Sequence, residues 1–358
     1  MNIAVILGGE SVEHDVSVLT GLSVMQNLSK KFTIIPIYIS RFGEWMTGKS
    51  LLKNSTYEND VIGEKCYFVG GNQELCVKHK FKTQKIRIDC AIVCLHGGLG
   101  EGGGVQAILE MNKVPYTSSG VGASSLCMDK VLTKHLCRAL DIEVLPFVSG
   151  DKTDIKEKLA ESDFDYPLIV KPARCGSSVG ISVVESEKEL DEAINISSQF
   201  DSKILIEPRL NNYRELNIAA LVGKTTKISE IEEIGCVGLY DFDHKYKTSN
   251  TKHIVPAPVD SDIASEICHK VIKFCRECDI FGVVRFDFLL GDRLYLNEVN
   301  TIPGNIAFYL WKDMSYTKLL STLIDNAIER ENSRRELISQ IKTNLLVNLE
   351  SIKPIRHK

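Results

Sequence analysis

Three short apolar runs, "NIAVILGG" (2–9), "FTIIPIYIS" (32–40) and "IDCAIVCLHG" (88–97), alternate with stretches whose apolar residues recur at helical spacing, "VSVLTGLSVMQNL" and "GVQAILEMN". Such alternation predicts an α/β layer of parallel strands. The Pro/Gly/Ser-rich "KVPYTSSGVGASSLCMDK" then crosses into a new helix starting near Ala123, which places a boundary near residue 119. Beyond it "YPLIVKPA", "GISVVES" and "KILIEPRL" read as strands and "SEKELDEAINISSQ" as a helix, a small α+β unit. The rest is strand-rich from "RELNIAALVG" through "VVRFDFLL" and "RLYLNEVN". It closes on two amphipathic helices, "DMSYTKLLSTLIDNAIER" and "RELISQIKTNLLVNLESI", and a basic, solvated "KPIRHK". Three domains are expected, over 1–118, 119–210 and 211–358.

Length supports that division, because 358 residues exceed what one core ordinarily holds, roughly 250 to 300. Hydrophobic residues make up 44% and charged residues 25%, so a globular chain is expected, and a net charge of −4 argues against a nucleic-acid footprint or a polybasic membrane surface. "MNIAVILGGE" lacks a basic leader and reads as a first strand, not a signal peptide. No apolar run approaches the ~20 residues of a membrane helix. Eleven cysteines, an odd number, point to reduced thiols in a cytoplasm. The one CxxC, Cys275 to Cys278, lies in a helical stretch where Cys268 and Cys275 share a face, so buried thiols are expected there instead of zinc.

Candidate chemistry gathers at "YLNEVNTIPGNIAFYLW" (295–311), an apolar strand that exits through Glu298 and Asn300 before Pro303-Gly304. Two readings fit: solvated loop-edge residues, or a metal site, since residues two apart on a strand share a face. A hairpin turning at Gly291-Asp292 would set Asp287 opposite Leu296 and Arg285 opposite Glu298, so that Arg285, Asp287, Glu298 and Asn300 converge. Three oxygen ligands suit Mg²⁺, which fills its octahedron with water and substrate phosphates. A phosphate-bearing substrate is therefore sought. "VKPARCGSSVGISVV" (170–184) sets Lys171 at a strand end before a loop with Gly176, Ser177, Ser178 and Gly180, whose amides and hydroxyls suit an anion. It is no P-loop, because the GxxxxGK[ST] order is absent and a strand follows. A plain hairpin is the other reading.

The order of motifs changes the picture. A lysine followed by a glycine/serine loop, then "LIEPRL", "RFDF" and "NEVNTIPG", resembles the ATP-grasp carboxylate-amine ligases, and most of all the D-alanine:D-alanine ligase family. "GGESVEHDVS", "HGGLGEGG", "SGVGASSLCMDK" and "YDFDHKY" look like further signatures of that family, from residue 3 to about 330. The resemblance implies a three-domain ATP-grasp fold, mixed α/β and α+β, with an amino-terminal Rossmann-like domain. It implies ATP-dependent joining of two D-alanine molecules through an acyl phosphate, for peptidoglycan precursor synthesis, by a cytoplasmic homodimer that uses Mg²⁺ or Mn²⁺, two ions. Lys130, Lys171 and Ser178 would meet ATP phosphates. The Glu207, Arg209 and Leu210 stretch would meet the adenine, with Glu207 taking its amino group, and Glu215 the ribose. Asp287, Glu298 and Asn300 become metal ligands. Arg285 and the amide of Gly304 would stabilise an oxyanion, and Glu13, held by Ser177 and Tyr246, would face the first amino acid's ammonium. His96 lies close to that donor, and Lys245, Tyr309 and Leu310 to the acceptor. The loop from about Tyr240 to His253 would be a mobile cover.

Three departures stand out: Gly102 replaces an aspartate, Cys175 a glutamate, and Tyr309 the serine that binds the acceptor's carboxylate. The last leaves a different amino or hydroxy acid acceptor open. A silent nucleotide-binding protein is the reading from another class. It has no need of an oxyanion arginine beside metal ligands.

Overall fold

The computed structural model describes residues 1–58, 60–235, 252–341 and 343. Among them lie three sheets. The first contains β1 (Asn2–Gly8), β2 (Thr33–Ile39), β3 (Trp45–Thr47), β4 (Glu64–Val69), β5 (Glu74–Lys78), β6 (Thr83–Arg87) and β7 (Cys90–Val93), in the order β6-β5-β4-β3-β2-β1-β7. Only β2, β1 and β7 are parallel; β3 to β6 form an antiparallel meander. The all-parallel expectation is thus corrected for 45–87. Those strands are short and polar, as in β6, "TQKIR", because antiparallel strands tolerate solvent on one face. Helix α1 (His14–Asn27) follows β1, and α2 (Gly98–Glu101) and α3 (Gly104–Met111) follow β7.

Helices α4 (Val121–Met128) and α5 (Lys130–Ala139) lead into a four-stranded antiparallel sheet of β8 (Val148–Gly150), β9 (Leu168–Pro172), β10 (Ser182–Val184) and β11 (Ile204–Pro208). It is covered by α6 (Ile155–Ala160) and α7 (Glu187–Ser197), whose Ile155, Leu159, Leu190 and Ile194 fill one core with Val170 and Ile206. The third sheet, also antiparallel, runs β14 (Lys252–Ile254), β13 (Thr226–Gly235), β12 (Arg214–Val222), β15 (Gly282–Leu290), β16 (Leu294–Asn300). One face, with Leu216, Ile218, Phe286 and Phe288, packs on α4, α5 and the helix Ser261–Glu277. The opposite face carries the polar side chains, as alternation along a strand requires.

The last helix, Tyr316–Arg335, returns to the first sheet, where Leu319, Leu323 and Ile324 join Ile3, Val5 and Leu7. Ile302, just past β16, enters the core on that sheet's other face with Ala4 and Ile6. The exit of β16 is thereby wedged against the loops after β1 and β7. Residues 336–341 are turn and irregular, so the second closing helix does not begin at Arg335; its remainder at 342 and 344–352 lies outside the described residues, as does the 353–358 tail. Cys275 is buried inside its helix, and all ten described cysteines are unbridged.

The β15–β16 hairpin differs from its expected register. Gly291 N–H donates to Arg293 O at 3.0 Å, and Leu290 pairs with Leu294 across the turn. Farther along a bulge at Asn297 shifts the ladder, so that Asp287 faces Glu298 and Arg285 faces Asn300. Pairing of Asp287 with Leu296 and Arg285 with Glu298 is therefore corrected. The bulge has a consequence: a straight ladder would set Asp287 against Asn297 and turn Glu298 to the apolar face.

Candidate active site

Two adjoining cavities, of about 440 and 490 Å³, share Lys130, Gly176, Glu215, Ile234 and Glu298 as a common wall. The second is the anion-friendly one, and all seven residues expected at the nucleotide, Lys130, Lys171, Ser178, Glu207, Arg209, Leu210 and Glu215, line it. Its loop, 173–181, joins the antiparallel neighbours β9 and β10, with Ser177 and Ser178 both in the left-handed region (φ 51° and 57°). At its floor Glu207 is clamped between Lys171, which binds Oε1, and Lys134, 3.0 Å from Oε2. Burial pushes the Glu207 carboxyl up, but the two lysines outweigh it and hold it well below the usual carboxylate range. Burial likewise lowers Lys171 despite the pull of Glu207. Lys134 was missed in the sequence, although it sits one turn after Lys130 on α5 and so shares its face. With both carboxylate oxygens engaged, Glu207 has its main chain left for an adenine, and the Arg209 side chain turns instead to Glu185 at 3.1 Å.

At the wall, Lys130 Nζ donates to Cys175 O at 2.8 Å and Glu298 Oε1 at 3.0 Å. Burial works against its charge, yet Glu298 prevails and raises its pKa. Arg285 makes a two-pronged pair with Asp287 (2.6 and 2.8 Å), and Asn300 Nδ2 donates to Asp287 Oδ2 at 3.1 Å. The four residues expected to converge do so. No group of three or more His, Cys, Asp or Glu side chains suited to a metal occurs among the described residues. The set Asp287, Glu298 and Asn300, two carboxylates and an amide beside the cavity that holds Lys130 and Lys171, nonetheless suits the partial protein shell that Mg²⁺ takes. Its negative charge is met here by Arg285 and Lys130.

In the first cavity the Glu13 carboxylate accepts a hydrogen bond from Ser177 Oγ. A Cβ on Gly176 would lie 2.4 Å from Glu13 Oε2, so glycine is what lets the two loops meet. Thr20 Oγ1 lies 2.9 Å from His96 Nε2, and the His96 N–H donates to Ser17 Oγ at 2.8 Å. Burial lowers the imidazole to about 4, so it is neutral near pH 7. Glu101, not foreseen, accepts from Gly97 N–H (2.9 Å) and Ile302 N–H (3.3 Å), tying the glycine loop to the exit of β16. Burial first, then Glu13, push its carboxyl up to about 8. Gly102 contributes only backbone, capping α2.

After Gly304, which lines this cavity, residues Asn305, Ile306 and Ala307 form a left-handed turn (φ 49°, 54°, 46°). It carries Tyr309 to 3.5 Å from Arg285 Nη1. Leu310, expected at the acceptor, is instead fully buried with the first sheet and lines neither cavity, because that turn points it inward. Tyr246 and Lys245 lie outside the described residues, as do 236–251 as a whole. The third sheet adds what the sequence reading overlooked: across four strands Glu232, Asn217, Asp287 and Glu298 stand directly opposite one another on one face. Alternating polar positions in "RELNIAAL" and "ISEIEEIG" were the signal.

A cavity walled by Lys130 and Lys171 beside an acidic pair, opening onto a second cavity with a buried carboxylate and an arginine, defines an ATP-grasp carboxylate-amine ligase in fold and site. Family descriptions agree: "D-ala D-ala ligase N-terminus" matches residues 2–119 and "D-ala D-ala ligase C-terminus" residues 136–326. The chain belongs to the D-alanine–D-alanine ligase family. It is 37% identical to the D-alanine–D-alanine ligase of Thermosipho melanesiensis, covering 97% of this chain and 98% of that one. It is 35% identical to that of Bacillus velezensis, over 92% and 98%. Among solved structures, the VanG D-Ala:D-Ser ligase of Enterococcus faecalis matches with a TM-score of 0.79 at 28% identity, over 91% of this chain and 99% of that one.

Proposed function

We propose that this protein joins two D-alanine molecules to D-alanyl-D-alanine at the expense of ATP, releasing ADP and phosphate through an acyl phosphate. The observation that carries the reading is the pair of adjoining cavities: Glu13, Ser177 and Arg285 line the first, Lys171 lines the second, and Lys130 stands in their common wall. Glu13 receives the first D-alanine's ammonium. Arg285 and the Gly304 amide meet its carboxylate, and donors aimed at a developing oxyanion are commonly worth ~10²–10³ in rate. Neutral His96 adds bulk and a hydrogen bond there without a second charge. Lys130 and Lys171 hold the transferred phosphoryl group as point charges. When Lys171 turns to phosphate, Lys134 keeps Glu207 neutralised.

Asp287, Glu298 and Asn300 would hold Mg²⁺, or Mn²⁺, as two ions. When bound, such ions would neutralise the phosphate charge that builds up during transfer. No helix of the described residues is long and apolar enough to cross a membrane, and we place the enzyme in the cytoplasm as a homodimer serving peptidoglycan precursor synthesis. A second reading, a different amino or hydroxy acid as acceptor, is favoured by Tyr309, whose phenol stands beside Arg285. Mass spectrometry of the product from ATP, Mg²⁺ and a panel of D-amino and hydroxy acids separates the two. ADP release that does not depend on D-alanine sinks both.

A further inference from the structure

The first cavity has a wall that none of the roles above uses. Glu232 on β13 is buried (1% exposed) and lines it with Asn217 and His253. The carboxylate is held at both oxygens: His253 Nδ1 lies 2.7 Å from Oε1, and Asn217 Nδ2 donates to Oε2 at 3.3 Å. Asn217 is 2% exposed, and its Oδ1 has no hydrogen-bond partner among the described residues. A buried amide oxygen left unpaired at the edge of a cavity calls for a donor from what enters that cavity.

We propose that Glu232, Asn217 and His253 form the subsite for the acceptor's amine, its ligand a primary ammonium; this rests on the ligation proposed above. Glu13, Arg285 and Glu232 line the cavity together, two carboxylates and one guanidinium. That set matches two amino acids about to be joined, with an ammonium for each carboxylate and the activated carboxyl for the arginine. Two strand spacings separate Glu232 from Asp287, the anchor of Arg285, which is roughly 10 Å, room for one amino acid across the sheet. Asn217 Oδ1 accepts one N–H of the ammonium and Glu232 supplies the counter-charge.

Attack requires a free lone pair, so the ammonium must first lose a proton. His253, on edge strand β14, has a half-exposed side chain. With its Nδ1–H donated to Glu232, Nε2 is the acceptor, the arrangement in which a carboxylate orients a general base. The proton passes to Nε2, the amine nitrogen forms the bond to the carbonyl carbon, and the carbon–oxygen bond to phosphate breaks with its electron pair leaving on phosphate. The nitrogen's surplus proton then follows to phosphate. Among the described residues, the groups facing the imidazole are Glu232, which it touches, Ile234 directly opposite, and Glu215 beyond it in the same row.

Hydroxylamine supplies the test, because it is largely unprotonated at neutral pH and traps an acyl phosphate as a hydroxamate without needing a base. Full-length wild-type enzyme, His253→Gln and Glu232→Gln are assayed with ATP, Mg²⁺ and D-alanine, with and without hydroxylamine. Both variants should form hydroxamate at the wild-type rate while dipeptide formation falls about 10²-fold or more, the usual size of a general-base contribution. The KM of the second D-alanine should rise in Glu232→Gln and in Asn217→Leu. His253→Gln, at an exposed edge, keeps the test if the buried variants do not fold. Dipeptide and hydroxamate falling in the same proportion, or dipeptide formation undiminished, overturns the proposal. A wild-type enzyme that makes neither product overturns the ligation reading instead.

Discussion

Replacing Glu207 by glutamine leaves two buried lysines without their carboxylate. Lys134 and Lys171 are 1% and 5% exposed, and Glu207 itself 2%, so water cannot take its place. Removing one partner of a buried ion pair typically costs about 3–5 kcal/mol, and here two cations share the one lost anion. The loss should therefore reach the upper part of that range near neutral pH. It should also depend on pH in a definite sense. Lys171 already has a lowered pKa beside Glu207, and it should fall farther below the unfolded value of about 10.4 in the variant. The unfolded chain then binds more protons, so the variant's stability rises as pH climbs toward that value. On the acid side the wild-type carboxyl is held below its ordinary pKa, so its contribution is full above about 4.3 and disappears as pH falls through the folded value; the glutamine variant lacks that decline. Urea denaturation with linear extrapolation, near neutral pH and near pH 10, measures both. A loss under about 1 kcal/mol that is the same at the two pH values would show that the lysines are not held by Glu207, and the argument for Lys134 would fail.

Glu298→Gln should abolish ligation with the fold intact, since an amide weakens Mg²⁺ at nearly unchanged volume; near wild-type ADP release at ordinary magnesium refutes the ligand assignment. Gly176→Ala places a Cβ 2.4 Å from Glu13 Oε2 and should raise the KM of the donor D-alanine more than that of ATP. An unaltered donor KM would mean that the two loops do not meet at Glu13. Glu101, pushed up to about 8, holds a proton in the folded state that the unfolded chain releases near 4.3, so stability should decline as pH rises across that interval. Glu101→Gln should flatten this decline in thermal unfolding at a series of pH values, and an unchanged slope excludes the protonated carboxyl.

What the sequence determined by itself was the local pattern: strands where apolar residues alternate or cluster, helices where they recur every three to four, and glycine with serine where an anion needs backbone amides. Those signals are carried by neighbours in the chain, which is why β1, β9, β15 and the helix after Ser186 are legible, and why ordered motifs sufficed to reveal the family. Long-range placement was decided only by tertiary structure. The bulge at Asn297, which aims Glu298 at Asp287, depends on a register set by the turn and the packing of both strand faces. Lys134 is an ordinary helical lysine until β11 brings Glu207 against it. Glu232 and Asn217 read as routine strand polars, and only the order β14-β13-β12-β15-β16 lines them up with Asp287 and Glu298. Leu310 was assigned to the acceptor by its position in a motif, and the left-handed turn at Asn305–Ala307 sent it into the core. In each case the deciding quantity is a contact between residues distant in the chain, fixed by burial and hydrogen-bond satisfaction of the whole.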